Sequence, residues 1–337
     1  MSETGIIPPK RIVVTGVGAA PGFDLARHLQ RLQHHVICTD AQPLAPGLLL
    51  PRVTARVTPR ADHPAYAAAM VQLCRQLRPD ALMVGIENDL LPLLEIREDL
   101  ARVGVRLWLP DAASVEACLD KAAFHEVLVK AGVPTARTVL PEQLDEVPEG
   151  EGALVVKPRR GHGAQHVHIC STHEQARVLC ELVPEPMIQE RLLGYEFTAD
   201  CLVDRTGRAA AVLRYRALVK SGLSMVSTTF HDEQVDAVVR QTLAAAGAMG
   251  LCCVQGFVDD AHPQRVRITE LNVRIAGGFA LAEAAGAELI GQSLNAMFGR
   301  HVDHSRLAYR PGIFLTKYVE TLASGDQTLL PALSEVC

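Results

Sequence analysis

The 337-residue sequence predicts an α/β protein, with a parallel, doubly wound sheet first and antiparallel hairpins after it. Two stretches carry this reading. Residues 11–40 run as an apolar β-branched strand (RIVVTG), a glycine turn (GVGAAPG), a helix over 23–32, and a second strand (HVICTD) ending in Asp40. Residues 251–272 run as strand, turn (DDAHPQ) and strand, which is a hairpin.

The elements follow in order. Phe23, Leu25, Ala26, Leu29 and Leu32 have helical spacing. Gly16, Gly18 and Gly22 resemble a dinucleotide fingerprint, but the spacing is G-x-G-x-x-x-G with Pro21 inside it, so a turn that packs the helix is the better reading. A helix is expected over 64–77, and a buried strand over 80–86. Glu87, Asn88 and Asp89 follow that strand. At the carboxyl end of a parallel strand, such a turn either faces a ligand cleft or caps the next helix. The next strand is VRLWLP at 105–110. Helices are expected around Asp120 and Lys121 over 114–131, extended chain over 133–140, and a polar linker over 141–152. A strand over 153–156 delivers Lys157, and a return strand covers 167–169. A helix over 172–182, strands within 186–204 and a strand over 209–215 come next. Arg214, Arg216 and Lys220 then cluster before Gly222. A helix over 234–249 precedes the hairpin, one over 281–298 follows it, and a last strand lies within 311–320.

Composition narrows the class. A net charge of −5 leaves no basic footprint for nucleic acid or an anionic membrane. There is no run of about 18 uncharged apolar residues to span a bilayer, and the first ten residues lack the apolar core of a signal peptide. The nine cysteines form no C-x-x-C pair, which fits reduced, mostly buried thiols and a cytoplasmic location.

The chemistry concentrates in two places. In residues 265–279 (RVRITELNVRIAGGF), Glu270, Asn272 and Arg274 alternate with apolar residues, so a strand sends them to one face. Two oxygen ligands beside a permanent cation suit a divalent metal on a polyphosphate. A solvated polar face is the ordinary alternative for any such strand. In residues 153–169, Lys157 is followed by Arg159, Arg160, Gly161, His162 and Gly163. A glycine loop between two strands can fold its N–H groups over phosphates while Lys157 supplies a point charge. The alternative is a surface hairpin with charged tips.

Taken together, Asp120-Lys121, V-V-K-P-R at 155–159, Q-E-R at 189–191, G-Y-E-F-T-A-D at 194–200, V-Q-G-F at 254–257 and E-L-N-V-R-I-A-G-G at 270–278 resemble the ATP-grasp superfamily, in its carbamoyl-phosphate-synthase-like and carboxylate–amine ligase branch. The match extends over about residues 11–320. It implies a Rossmann-like pre-ATP-grasp domain at 1–112, followed by a two-subdomain ATP-grasp fold. The first subdomain, at 113–187, is a nucleotide lid; the second covers 188–322, and the tail at 323–337 is unassigned.

The resemblance also implies roles. ATP would be held by Lys121, Lys157, Arg159, the Gly161–His162–Gly163 flap, Gln189, Glu190, Leu192 and Glu196. Gln255, Glu270 and Asn272 would hold one or two Mg²⁺ or Mn²⁺ ions. Arg274, with Lys157 and Arg214, would act on the transferring phosphoryl group. The remaining assignments are readings of the residues. Glu87 or Asp89 would attract an amine, Arg214, Arg216 and Lys220 would hold a carboxylate, and Gly277-Gly278 would hold its oxyanion. The expected reaction is ATP-dependent carboxylate–amine ligation through an acylphosphate, with small-molecule substrates and a homodimer as a compatible assembly. The competing readings are an ATP-grasp enzyme using bicarbonate or a thiol, a nucleotide sensor without chemistry, and a nicotinamide oxidoreductase.

Overall fold

The computed structural model describes residues 7–150, 152–161, 163–262 and 264–322. Three sheets organise them. The first is five-stranded and parallel, in the order β3-β2-β1-β4-β5. It contains β1 (Arg11–Thr15), α1 (Ala20–Arg31), β2 (His35–Asp40), β3 (Thr54–Val57), α2 (Tyr66–Leu77), β4 (Ala81–Met83), α3 (Leu90–Glu95), α4 (Arg97–Arg102) and β5 (Arg106–Leu107). Residues 12–15 are buried, as expected of a central strand covered on both faces. α1 buries Gly22, Leu25, Ala26 and Leu29, one helical stripe, and carries Pro21 in its first turn, where a missing N–H is harmless. β3 is absent from the sequence-based expectation. It is a short edge strand, TARV, with no buried residue, so it lacks the apolar run that marks its neighbours.

The glycines of the first turn are packing devices. A Cβ on Gly22 would lie 2.4 Å from the Gly16 carbonyl oxygen, and one on Gly85 2.2 Å from the Thr15 carbonyl oxygen. Gly18 donates its N–H to Asp40 Oδ2 at 2.6 Å. The turn therefore clamps α1, β1 and the loop after β4 together, in line with the packing reading of the fingerprint.

A pair of helices, α5 (Ala112–Leu119) and α6 (Lys121–Lys130), leads to the second sheet. Asp120 caps α6, accepting from the N–H groups of Ala122 and Ala123. The second sheet has the order β6-β9-β7-β8, from β6 (Thr138–Val139), β7 (Leu154–Pro158), β8 (His168–Cys170) and β9 (Pro186–Glu190), with α7 (His173–Leu182) on it.

The third sheet has the order β14-β13-β10-β11-β12-β15. It contains β10 (Tyr195–Val203), β11 (Ala209–Lys220), β12 (Leu223–Thr229), α8 (Glu233–Ala245), β13 (Gly250–Val258), β14 (Val266–Asn272), α9 (Ala280–Ala284), α10 (Leu289–Met297) and β15 (Phe314–Thr316). Two expectations are corrected here. The strand expected at 209–215 runs on to Lys220, pairing with β12 across a tight turn at Ser221-Gly222. The single helix expected over 281–298 is two helices, because Gly286 adopts φ +110 between them.

The β13–β14 hairpin contains one irregularity that matters for the site. Gly256 pairs with Ile268, but Gln255 pairs with Glu270, leaving Thr269 as the extra residue of a bulge. Strict alternation would put Glu270 on the face of Ile268, which is fully buried. The bulge turns Glu270 to the opposite face, beside Gln255. With Thr198 opposite Gln255 and Arg214 opposite Thr198, a row of four polar side chains crosses four strands.

The eight cysteines among the described residues are free thiols, and all but Cys180 are buried. No helix among the described residues is long and apolar enough to cross a membrane. Because the space beside Gly85 is already filled by backbone, Gly85→Ala is expected to lower unfolding free energy by about 1–3 kcal/mol, read from urea denaturation midpoints.

Candidate active site

A cleft of about 1330 Å³ opens where the three sheets meet. Single small-ligand pockets usually span ~300–1000 Å³, so this volume admits a nucleotide together with a second molecule. Its floor is the polar row of the third sheet. One wall is β7, the loop after it and β9. The other is the carboxyl end of the parallel sheet.

Alternation along β7 sends Lys157 into the cleft, where its ammonium donates to Gln189 Oε1 at 2.9 Å. Gln189 in turn donates to Thr138 Oγ1 at 2.8 Å, which fixes its amide. Burial pushes the Lys157 ammonium down to about 8, against the pull of Glu270 and with some help from the Lys121 charge. Lys121, the first residue of α6, contacts Glu270 Oε1 at 3.2 Å and donates to the Gly161 carbonyl oxygen at 2.8 Å. Burial pushes the Glu270 carboxyl up, but Lys121, Lys157 and Arg274 outweigh it and hold the group below the ordinary carboxylate range.

Arg274 lies just beyond β14. It donates to Glu87 Oε1 at 2.5 Å, to the Ile275 carbonyl oxygen at 2.9 Å and to Asn272 Oδ1 at 3.4 Å. Arg216 reaches Glu196, Gln255 Oε1 at 3.2 Å and the Gly222 carbonyl oxygen at 2.6 Å. Arg214 is 2 % exposed and bonds Asp200 through Nε at 2.7 Å and Nη2 at 3.3 Å. Its Nη1 is buried without a hydrogen-bond partner. Gly278 lies directly over that guanidinium, since a Cβ there would be 2.7 Å from Cζ.

The structure thus brings together Lys121, Lys157, Gly161, Gly163, Gln189, Glu190, Leu192, Glu196, Arg214, Arg216, Gln255, Glu270, Asn272, Arg274, Gly277, Gly278 and Glu87 around one cleft. Three expected residues fall elsewhere. Asp89 turns inward from its loop and is 5 % exposed, outside the cleft lining, where burial pushes its carboxyl up. Lys220 is exposed at the end of β11, because the strand continues past the expected cluster. Arg159 is outside the lining and pairs with the α6 cap Asp120, Nη2 to Oδ2 at 2.6 Å. Glu87 is present but not free for an amine, being committed to Arg274. Glu190 is similarly committed: Oε1 accepts from the Arg137 N–H at 2.8 Å and lies 3.3 Å from Arg267. His162 lies outside the described residues.

Other lining residues escaped the sequence reading. Val155, Ile169 and Phe257 join Leu192 as apolar lining of the cleft that also holds Lys157. The signal was available for Val155, two residues before Lys157 on the same strand face. Asp200, the partner of Arg214, was visible only as a polar residue in an apolar strand.

Gln255, Glu270 and Asn272 offer one carboxylate and two carboxamide oxygens on neighbouring positions of one face. Among the described residues, no cluster of three or more His, Cys, Asp or Glu side chains could hold a metal alone. The donor set fits Mg²⁺ arriving on a triphosphate, since that ion is commonly held by one or two carboxylates with phosphate oxygens.

Residues 183–321 match the family described as ATP-grasp in the biosynthetic pathway with Ter operon. Among solved structures, the biotin carboxylase–βγ-ATP complex of Campylobacter jejuni aligns at TM-score 0.69 with 15% identity, over 88% of this chain and 72% of that one. N5-carboxyaminoimidazole synthetase of Staphylococcus aureus, complexed with ADP, aligns at 0.70 with 12% identity, over 97% and 96%. L-amino acid ligase of Bacillus licheniformis aligns at 0.65 with 18% identity, over 90% and 78%. The chain therefore shares the fold of these ATP-grasp-type proteins. No curated protein matches it by sequence. Strands β7–β9 on one side and β10–β14 on the other contribute lining residues to the cleft.

The Arg214–Asp200 pair is the most deeply buried charge in this ATP-grasp cleft, and removing one partner strands the other. Asp200→Ala is expected to cost about 3–5 kcal/mol in denaturant titrations. Combining it with Arg214→Met should recover most of that loss.

Proposed function

We propose that this ATP-grasp protein joins a carboxylate to an amine at the expense of ATP, releasing ADP and phosphate. The observation that carries this is the convergence of Lys121, Lys157 and Arg274 around Glu270, in a cleft with room for a second substrate. In this reading the chain divides near residues 112 and 187, with the nucleotide between the second and third units and the other substrates toward the first.

A carboxylate is a poor electrophile, so it must first be activated. A carboxylate oxygen attacks the γ-phosphorus, the bond to the β-phosphate oxygen breaks, and ADP leaves with that electron pair. The amine nitrogen then attacks the acyl carbon. The tetrahedral intermediate collapses with loss of phosphate and of the amine proton, leaving a C–N bond.

Each cleft residue has a task in this scheme. Lys157 and Lys121 neutralise phosphate oxygens, and Arg274 stabilises the charge on the transferring group. Glu87 orients Arg274 through their ion pair. The free Nη1 of Arg214 and the Gly277-Gly278 N–H groups hold the carboxylate and then its oxyanion. Gln255, Glu270 and Asn272 would hold Mg²⁺, which would supply charge neutralisation for the phosphate group. The apolar lining of Val155, Ile169 and Leu192 takes adenine, and the Gly161–Gly163 flap keeps water from the acylphosphate.

Two measurements test this. Product analysis by mass spectrometry, with ATP, Mg²⁺ and pooled carboxylates and amines, should yield an amide together with ADP. A carboxylated or thioester product would replace the amine reading by one with bicarbonate or a thiol. In the same assay, Glu270→Ala should lower Mg²⁺-dependent ADP release by about 10²–10³-fold; unchanged turnover removes Glu270 from the metal site.

Lys157 supplies a pH test. Below about 8 its ammonium is charged and available to phosphate; above that it is neutral in the free protein. Bound phosphate favours the charged form, so binding above pH 8 must take up a proton and weakens as pH rises. Calorimetric ATP affinity should therefore fall between pH 8 and 9.5. Lys157→Arg should flatten that dependence, because guanidinium stays charged.

A further inference from the structure

The wall of the cleft contributed by the parallel sheet carries none of the residues assigned above to contact phosphate. It comes from the turn after β1, the loop after β2 and the loop after β4, that is, residues 16–21, 40–46 and 85–88. Two features of this wall stand out. Its body is apolar: Ala20, Pro21, Leu44, Pro46 and Ile86 line it, with Leu223 of β12 reaching across from the third sheet. Its charged lining groups are both acids, Asp40 and Glu87. Among the described residues, it contributes no Lys, Arg or His to the cleft lining.

The opposite character holds on the floor. There the lining cations stand on the second and third sheets or the start of α6, and the Arg214 Nη1 is buried without a partner. Gly277 joins the two regions, because a Cβ on it would lie 2.8 Å from Leu223, 3.7 Å from Ala20 and 3.9 Å from Pro21. A reacting carboxylate over Gly277-Gly278 and Arg214 therefore has an apolar and acidic compartment on its far side from Lys157.

Resting on the ligase reading, we propose that this compartment selects the acceptor, and that the acceptor is an amine on an uncharged, apolar body rather than a phosphorylated or carboxylate-bearing one. The physical reasons are separable. An anionic group placed here would be desolvated against apolar side chains without a counter-charge and would meet Asp40, while Glu87 is taken up by Arg274. An alkylammonium gains instead from the apolar contact and from Asp40. Asp40 uses one oxygen for the Gly18 N–H and the other for the Gln42 N–H, which holds its carboxylate rigidly at the mouth of the compartment. Each oxygen keeps a further lone pair for an ammonium. Apolar contact with Leu44, Pro46 and Leu223 rewards a hydrocarbon body.

The test uses the full chain, ATP, Mg²⁺ and a carboxylate that supports ADP release. Acceptors are offered in matched pairs: leucinamide against leucine, and isoamylamine against phosphoethanolamine. The expected result is amide formation with leucinamide and isoamylamine at a kcat/KM at least about tenfold above the anionic member of each pair. Leu44→Lys, which places a cation on this wall, should raise KM for leucinamide about tenfold and narrow the preference, with KM for ATP unmoved. Amide formation that favours leucine or phosphoethanolamine overturns this inference and leaves the ligase reading intact. ADP release without amide from any acceptor overturns the ligase reading and this inference with it. A Leu44→Lys protein with unchanged acceptor preference removes the wall from acceptor selection.

Discussion

Burying a charge without a partner costs several kcal/mol, and this cleft holds its cations largely out of water. The constraint is met pair by pair. Lys121 lies against Glu270, Arg214 against Asp200, Arg216 against Glu196, and Arg274 against Glu87. Lys157 has only the neutral Gln189 as its hydrogen-bond acceptor, and it is the cation whose charge is most depressed. The pairing explains how positive side chains from the second and third sheets and from α6 coexist in one cleft. It also separates two kinds of pair. Arg214–Asp200 is buried beneath Gly278 and leaves the Arg214 Nη1 without a protein partner. Lys121–Glu270 and Arg216–Glu196 line the cleft itself.

Small backbone features deliver these side chains. The bulge at Thr269 reverses the facing of β14, so that Glu270 leaves the buried side of Ile268 and joins Gln255. Glycine at 278 lets the chain cross over Arg214 at contact distance. The twelve-residue β11 carries Arg214 at its buried end and Arg216 two residues on, so one strand serves both the core and the cleft. A change at any of these backbone positions would move a functional group without touching it.

Much of this was legible in the residues. The strand–turn–helix–strand at 11–40, the 251–272 hairpin and the delivery of Lys157 by a short strand all follow from periodicity and glycine placement. So did the cross-strand meeting of Gln255 and Glu270, although alternation alone misses the bulge that produces it. What was not legible depends on partners distant in sequence. Glu87 and Arg274 are 187 residues apart and meet only because β4 and β14 end at the same cleft. The acidic turn at 87–89 follows the cleft reading only at Glu87; Asp89 enters the core and makes no side-chain cap for the helix that follows. Lys220 looked equivalent to Arg214 and Arg216 in the sequence, and only the length of β11 carries it away to the surface.

The single ammonium of Lys121 touches both the flap, at the Gly161 carbonyl, and the carboxylate of Glu270. Two parts of the molecule thereby share one finite resource. On the proposed reading, a triphosphate that draws Lys121 toward itself loosens both contacts together. The position of the chain at Gly161 and the affinity for that ligand are then coupled, each biasing the other by the same free energy.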